Sequence, residues 1–190
     1  KNVISTSSTS PNFAMFGSSG IGAFQSVGFG ATTDAVYLPV GAGGTGDLKL
    51  TTAYGVRGAF NHNWDPFWST SLWGSYSAVR YDGSATDITT AKGQFCASYY
   101  FGSSTTAAGR AANAATSTCN PDFNVAMIGI TTRWTPVKNL TFSAEALWMG
   151  LDQKFSGTAV LTPTAPMPTA VYEFKDQSTV SFNVRAQRNF

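Results

Sequence analysis

Apolar and polar residues alternate along several stretches of this chain. The clearest stretch is 178–190. Its residues alternate in the order Val180, Ser181, Phe182, Asn183, Val184, Arg185, Ala186 and Gln187. Successive side chains of a β-strand point to opposite faces, so this period of two predicts a closing strand with one apolar and one polar face.

Four further stretches alternate in the same way. They predict two hairpins, at 49–80 and 123–150, with short connections at 62–67 and 135–139. Each strand covers about 11 residues, the length that a tilted strand needs to cross a bilayer. The predicted apolar faces carry Leu50, Tyr54, Val56, Phe60, Trp68, Leu72, Tyr76, Ile128, Ile130, Trp134, Phe142 and Trp148.

The remaining connections are long, at 81–122 and 151–177, while residues 1–48 are Gly-rich and only weakly alternating. Membrane barrels have tight turns at one end and long outer loops at the other. We therefore interpret 81–122 and 151–177 as outer loops and 1–48 as a loop with one weak strand. All of them are expected to belong to a single β-barrel domain.

Composition agrees with a barrel in a membrane. Only 12% of the residues are charged, whereas soluble domains carry about 25%. Polar residues interrupt every apolar run before the roughly 18 residues that a membrane helix needs, so we predict an all-β, antiparallel transmembrane barrel. Trp64, Trp68, Trp134 and Phe190 gather at the short-turn ends, as an interfacial aromatic girdle would. The alternative is a soluble sandwich, whose strands also alternate.

Other functional classes have little support. A net charge of +2 with scattered basic residues indicates no nucleic-acid partner. Gly41, Gly43 and Gly46 have the spacing of a nucleotide-binding loop, but a predicted strand follows and no helix dipole is available for a phosphate. His62, the only histidine, lies near Asp65 in a short turn. We interpret it as an interfacial polar residue, and we predict no enzyme, no metal site and no cofactor.

Cys96 and Cys119 are the only cysteines, and both lie in the predicted loop 81–122. The compartment outside an outer-membrane barrel is oxidising, so we predict a disulfide between them. Closing a loop of about 24 residues stabilises the fold by roughly 3–4 kcal/mol in the chain-entropy model. The alternative is two free thiols.

Charged residues in the middle of strands indicate which face meets water. An Arg on the lipid face at the bilayer midplane costs about 2–4 kcal/mol, so the polar face should line an aqueous lumen. The expected pore-lining residues are Arg57, Arg133, Arg185, Glu145 and Asn183. Glu145 and Arg185 are expected at similar heights on neighbouring strands, as a weak cross-strand pair. Alternatively, the arginines only line a hydrated wall or pair with other groups inside the barrel.

The sequence resembles the general porins of alphaproteobacteria over roughly residues 50–190. The segments that carry the resemblance are TTAYGVRGAFNHNWDPFWSTSLWGSYSAVRYDG, CNPDFNVAMIGITTRWTPVKNLTFSAE, LDQKFSG and DQSTVSFNVRAQRNF. The resemblance implies a 16-stranded, trimeric outer-membrane barrel among lipid and lipopolysaccharide, with passive diffusion of ions and small hydrophilic solutes. It also implies that the barrel assembly machinery reads Phe190 as an assembly signal.

Five or six strands are too few to close such a barrel. Residues 2–12, NVISTSSTSPN, contain no apolar stretch of the kind that a signal peptide has. We therefore expect this chain to be the C-terminal portion of a longer porin. The runner-up is a small closed barrel that acts as a structural anchor or adhesin, in which inward positions should be bulkier than the Ser, Gly and Ala seen here.

Overall fold

The computed structural model describes residues 12–18, 21–102, 114–162 and 166–189, with the backbone alone at 12–13 and 99–102. In chain order its strands are β1 (Asn12–Gly17), β2 (Gln25–Ala31), β3 (Ala35–Tyr37), β4 (Leu48–Leu50), β5 (Thr52–Asn63), β6 (Trp68–Arg80), β7 (Ser117–Thr118), β8 (Phe123–Val137), β9 (Leu140–Gln153), β10 (Ser156–Leu161), β11 (Ala170–Phe174) and β12 (Gln177–Arg188). A helix, α1 (Ala91–Gly102), lies between β6 and β7. The fold class is all-β, as predicted. No helix in the described ranges is long and apolar enough to cross a membrane.

The chain divides into two compact units. The first comprises Lys1–Tyr54, Ala78–Asn124 and Asp152–Gln177, and the second comprises Gly55–Ser77, Val125–Leu151 and Ser178–Phe190. Both units draw on distant parts of the sequence. The expectation of a single barrel domain over the whole chain stays a prediction.

The second unit is built on a five-stranded sheet in the order β12-β9-β8-β6-β5. These are the strands that the alternation predicted. The two short connections are closed by specific turn residues. Asn139 has φ 68°, in the left-handed region that Asn tolerates. Asp65 Oδ1 accepts hydrogen bonds from the backbone nitrogens of Phe67 (2.7 Å) and Trp68 (2.8 Å).

The apolar face of this sheet is exposed. The largest exposed fractions occur on its two edge strands, β5 and β12, with Val56 at 70%, Phe182 at 77% and Val184 at 85%. A water-soluble sheet would bury such a face against a second layer. The pattern is therefore that of a sheet whose apolar side faces a non-aqueous surrounding.

The first unit has two sheets of its own. A five-stranded sheet has the order β1-β2-β11-β10-β7, and β3 pairs with β4. Strand β11 runs parallel to β2, with Tyr172 opposite Gln25. Residues 1–48, where one weak strand was expected, contain β1, β2, β3 and part of β4. β1 pairs with β2 and β3 pairs with β4 over short separations, while β2 also pairs with the distant β11.

The predicted outer loops contribute to a hydrophobic core in this unit. Its buried members are Val27, Cys96, Cys119, Phe155, Ala159, Tyr172 and Phe174. Tyr172 is fully buried, and the rings of Phe155 and Phe174 lie 5.3 Å apart. Burying a side chain of this size stabilises the fold by about 1.5–3 kcal/mol. Parts of 81–122 and 151–177 are therefore folded structure.

Two links fasten α1 to residues 119–122. Cys96 and Cys119 form the predicted disulfide, with Cα atoms 5.6 Å apart. Lys92 Nζ lies 2.7 Å from Asp122 Oδ2, and both side chains are only 14% exposed. The other oxygen of Asp122 accepts a hydrogen bond from the backbone nitrogen of Tyr81 at 2.8 Å. These bonds hold α1 together with Tyr81, at the start of the loop, and with Asp122, near its end.

Tyr81 continues this connection to the N-terminal strands. Its hydroxyl donates to the carbonyl of Ala31 at 2.9 Å and lies 3.0 Å from Thr33 Oγ1. Burial raises the pKa of Tyr81, while its hydrogen bond with Thr33 acts in the opposite direction. The neutral phenol is therefore the form that the surroundings favour.

Replacing Cys96 with Ala should loosen α1 without disturbing the second unit. The disulfide constrains a loop of about 24 residues, and its loss should lower the stability of this region by roughly 3–4 kcal/mol. Hydrogen exchange followed by mass spectrometry should show faster exchange in 91–102 and 117–122 and unchanged exchange in 140–150. Cys119→Ala should give the same pattern. Free-thiol labelling of both cysteines in the unreduced, denatured protein would contradict the crosslink.

Candidate functional site

Polar side chains lie together on one face of the second unit's sheet. We call this the polar face, and it consists of the odd-numbered positions of the five strands. Its principal members are Arg57, Asn61, Ser71, Trp73, Thr131, Arg133, Glu145, Asn183 and Arg185. The even-numbered positions carry the exposed apolar residues. The two-residue period of the strands produces both faces.

Glu145 is the centre of a hydrogen-bonded group on the polar face. Its Oε2 accepts a bond from Thr131 Oγ1 at 2.9 Å, and its Oε1 accepts a longer one from Asn183 Nδ2 at 3.4 Å. Trp73 Nε1 lies 3.4 Å from the same Thr131 oxygen. Side chains from β6, β8, β9 and β12 are thus linked in one row. The carboxylate is stabilised by neutral donors in this row.

Arg133 belongs to a second group on the same face. Its Nη1 donates to Ser71 Oγ at 3.0 Å, and Ser71 Oγ in turn donates to Asn61 Oδ1 at 2.6 Å. This group links β8, β6 and β5. The guanidinium itself is exposed. Arg133 therefore presents a positive charge whose position is fixed by a hydroxyl from the next strand.

The expected pair between Glu145 and Arg185 is wrong. Asn183, rather than Arg185, reaches Glu145. The backbone nitrogen of Asn189 donates to the carbonyl of Asn139 at 2.9 Å, and antiparallel pairing then sets Arg185 opposite Ser143. Counting heights from the last residue of the chain misplaced the register. Among the ion pairs of the described residues, none involves Glu145.

The structure brings two of the five expected pore-lining residues, Glu145 and Asn183, into contact, and Arg133 lies in the second group on the same face. Arg57 and Arg185 share their face but lie on the edge strands β5 and β12, both exposed. Cys96 and Cys119 belong to the first unit, and Phe190 lies outside the described residues.

Four members of the polar face were missed by the sequence reasoning as site residues: Asn61, Ser71, Trp73 and Thr131. The sequence signal that could have identified them was their odd-numbered positions, which place them on the same face as Glu145. Ser71 and Thr131 are small, and Thr131 is only 7% exposed, so their importance lies in bonds across strands. Such bonds depend on register, which alternation alone does not give.

A model of the porin subfamily matches residues 16–183. The chain belongs to the porin subfamily. No curated protein and no solved structure matches it. The family agrees with the all-β fold and with a β-barrel, although the described strands form open sheets.

Three of the four residues predicted to form an interfacial girdle, Trp64, Trp68 and Trp134, lie near the short turns of this porin, and their place at a membrane interface stays a prediction. The rings of Trp68 and Trp134 lie 6.4 Å apart, and those of Trp134 and Phe142 lie 5.7 Å apart. The His62 ring lies 4.3 Å from that of Trp64. His62 is therefore part of an aromatic row, which is consistent with its interpretation as an interfacial residue.

Replacing Thr131 with Val should destabilise the folded porin more than replacing Thr132 with Val. The first change removes the shorter hydrogen bond of Glu145, which should lower the free energy of unfolding by about 1–3 kcal/mol. Thr132 lies on the opposite face, and its contacts with Ser69 O (3.4 Å) and Thr70 Oγ1 (3.5 Å) are at the limit of hydrogen bonding. The free energy of unfolding of both variants is measured by urea titration, with the folded fraction read from gel mobility. Equal losses would show that the bond to Glu145 contributes nothing.

Proposed function

We propose that this chain forms part of the wall of a water-filled channel in the bacterial outer membrane. Ions and small hydrophilic solutes would diffuse through it passively. The two-faced sheet of the second unit supports this proposal. One face carries a hydrogen-bonded row of charged and polar side chains, and the other exposes large apolar residues. Membrane channels built from strands require this division between lumen and lipid.

Membership of the porin subfamily supports a porin role and an outer-membrane location. The resemblance to general porins supports three further elements of the proposal. The channel is a homotrimer, its apolar face contacts lipid and lipopolysaccharide, and the barrel assembly machinery inserts it by reading the strand that ends in Phe190. In this proposal the protein is a passive channel rather than an enzyme.

The size of the side chains on the polar face favours a channel over a solid anchor or adhesin. Small residues occupy many of its positions: Ser69, Ser71, Ser75, Gly129, Thr131 and Ser143. A small barrel without a pore fills its interior with bulky, interlocking side chains. Trp73, Met127, Leu147 and Met149 are larger apolar side chains on the same face. The small residues leave space for water beside the wall.

The charges of the polar face favour anions. Three arginines, Arg57, Arg133 and Arg185, face one carboxylate, Glu145. Fixed positive charge on a confined wall raises the local concentration of anions and lowers that of cations. The proposed channel is therefore weakly anion-selective.

Replacing Arg57 and Arg185 together with Ser should shift the selectivity toward cations. Neither side chain has a hydrogen bond or ion pair with another described residue, so the change alters charge more than structure. The measurement is the reversal potential in planar bilayers under a salt gradient. Lys138→Ser, in the exposed turn after β8, is the matched control and should leave the reversal potential unchanged. An unchanged potential in the double variant would exclude a selectivity role for these arginines.

Channel formation itself is tested by the conductance of the purified wild-type protein in the same bilayers. The expected result is stepwise, ohmic conductance. Folded protein that inserts without conductance would contradict the channel and favour the anchor.

A further inference from the structure

We propose that Trp73 and the groups around Glu145 form a binding subsite for pyranose sugars on the wall of the channel, a site that rests on the proposed function. Trp73 differs in position from the other tryptophans. Those at 64, 68, 134 and 148 have the parity of the apolar face, whereas Trp73 has the parity of the polar face. An indole on an aqueous wall has no lipid to contact. It is available to a solute.

Gly129 provides the seat for this indole. A Cβ atom at position 129 would lie 2.5 Å from Trp73 Cζ2 and 2.6 Å from Cε2, closer than side chains tolerate. The ring therefore lies over the backbone of β8, and Trp73 Nε1 reaches Thr131 Oγ1 at 3.4 Å. No other aromatic ring contacts Trp73 in the described part of the chain. Trp73 is half-buried, so part of its surface remains accessible on the polar face.

Groups that bind hydroxyls lie on the same face as this indole, which Thr131 links to Glu145 and Asn183. Glu145 is bonded to Thr131 and Asn183, both neutral, and its oxygens retain further lone pairs. Asn183 and the guanidinium of Arg133 are exposed. A pyranose ring has an apolar face of C–H groups and a rim of hydroxyls that both donate and accept. An aromatic surface beside a carboxylate, an amide and a guanidinium matches both features.

Other solutes fit this arrangement less well. A simple anion would be attracted by Arg133, but the indole face would not stabilise it, and the carboxylate of Glu145 would repel it. An organic cation could stack on the indole, but Arg133 and Arg185 repel it. A neutral, polyhydroxylated ring avoids both repulsions. The mixture of charges therefore favours a sugar.

Cellobiose is the probe, because both faces of a β-linked glucose ring carry axial C–H groups. Cellobiose should lower the single-channel conductance of the wild type in a saturable manner. Sorbitol, which has similar hydroxyls and no ring, should lower it only in proportion to viscosity. Trp73→Ala should raise the cellobiose concentration that gives half-maximal block about tenfold, because one aromatic contact is lost. Trp148→Ala, on the apolar face, is the matched control, and cellobiose should block this variant at the same concentration as the wild type.

A second pair of variants tests the platform with Trp73 retained. Gly129→Ala displaces the indole and should also weaken the block, whereas Gly58→Ala adds a methyl group in open space and should not. Titration of tryptophan fluorescence with cellobiose in detergent gives a readout that does not need conductance. It should show a change that Trp73→Phe reduces.

Three results would overturn the subsite: a block by cellobiose no greater than by sorbitol, equal behaviour of the Trp73 and Trp148 variants, or a fluorescence titration without saturation. A wild-type protein that inserts but does not conduct would instead overturn the channel. The fluorescence titration would then still decide whether the sugar site exists.

Discussion

The two-residue period of the β-strand is the constraint on which the second unit depends. It sends every odd-numbered side chain of β5, β6, β8, β9 and β12 to one face and every even-numbered one to the other. A slip of one residue would move Arg133 into the apolar face, where a charge at the bilayer midplane costs about 2–4 kcal/mol, and would turn Trp134 toward water. The division between the faces is therefore also what fixes the register of the strands. Bonds such as that from Thr131 to Glu145 then secure it locally.

The first unit is stabilised differently. It buries Tyr172 and the Cys96–Cys119 disulfide in a core that a water-soluble domain could have. The ion pair of Lys92 and Asp122 is largely buried, and Asp122 is also bonded to the backbone of Tyr81. A buried pair of this kind contributes little net stability against apolar alternatives, but the loss of one partner is strongly destabilising. It therefore acts mainly to hold α1 in one position.

Prediction from the sequence succeeded where apolar and polar residues alternate clearly within a segment. It failed where the alternation is weak, as at β1–β2 and β3–β4, and where the partner strand is distant. The strands of the second unit follow from alternation within each segment, and the disulfide follows from two cysteines in one loop. By contrast, β2 pairs with β11, nearly the whole chain away, and nothing in residues 25–31 reveals that partner. The expected contact of Glu145 with Arg185 failed because the height of a residue was counted from a chain end instead of from the pairing of Asn139 with Asn189. The contact of the Trp73 ring with Gly129 depends on the register between strands, so the sequence alone could not predict it either.

The arginines of the polar face differ in how firmly they are held, and this separates their electrostatic roles. Arg133 is bonded to Ser71, which is bonded to Asn61, so its charge has a fixed place beside the row of Glu145. Arg57 and Arg185 lie on edge strands and are exposed. A long side chain without a partner can follow a passing ion, while a bonded one cannot without losing its hydrogen bond. Arg133 therefore contributes positive charge at a fixed position on the polar face, whereas the unbonded edge arginines contribute positive charge that can move. In the proposed channel, selectivity between ions would then depend mainly on the edge strands and recognition of a neutral ring on the centre of the sheet, so the two properties would be separable by substitution.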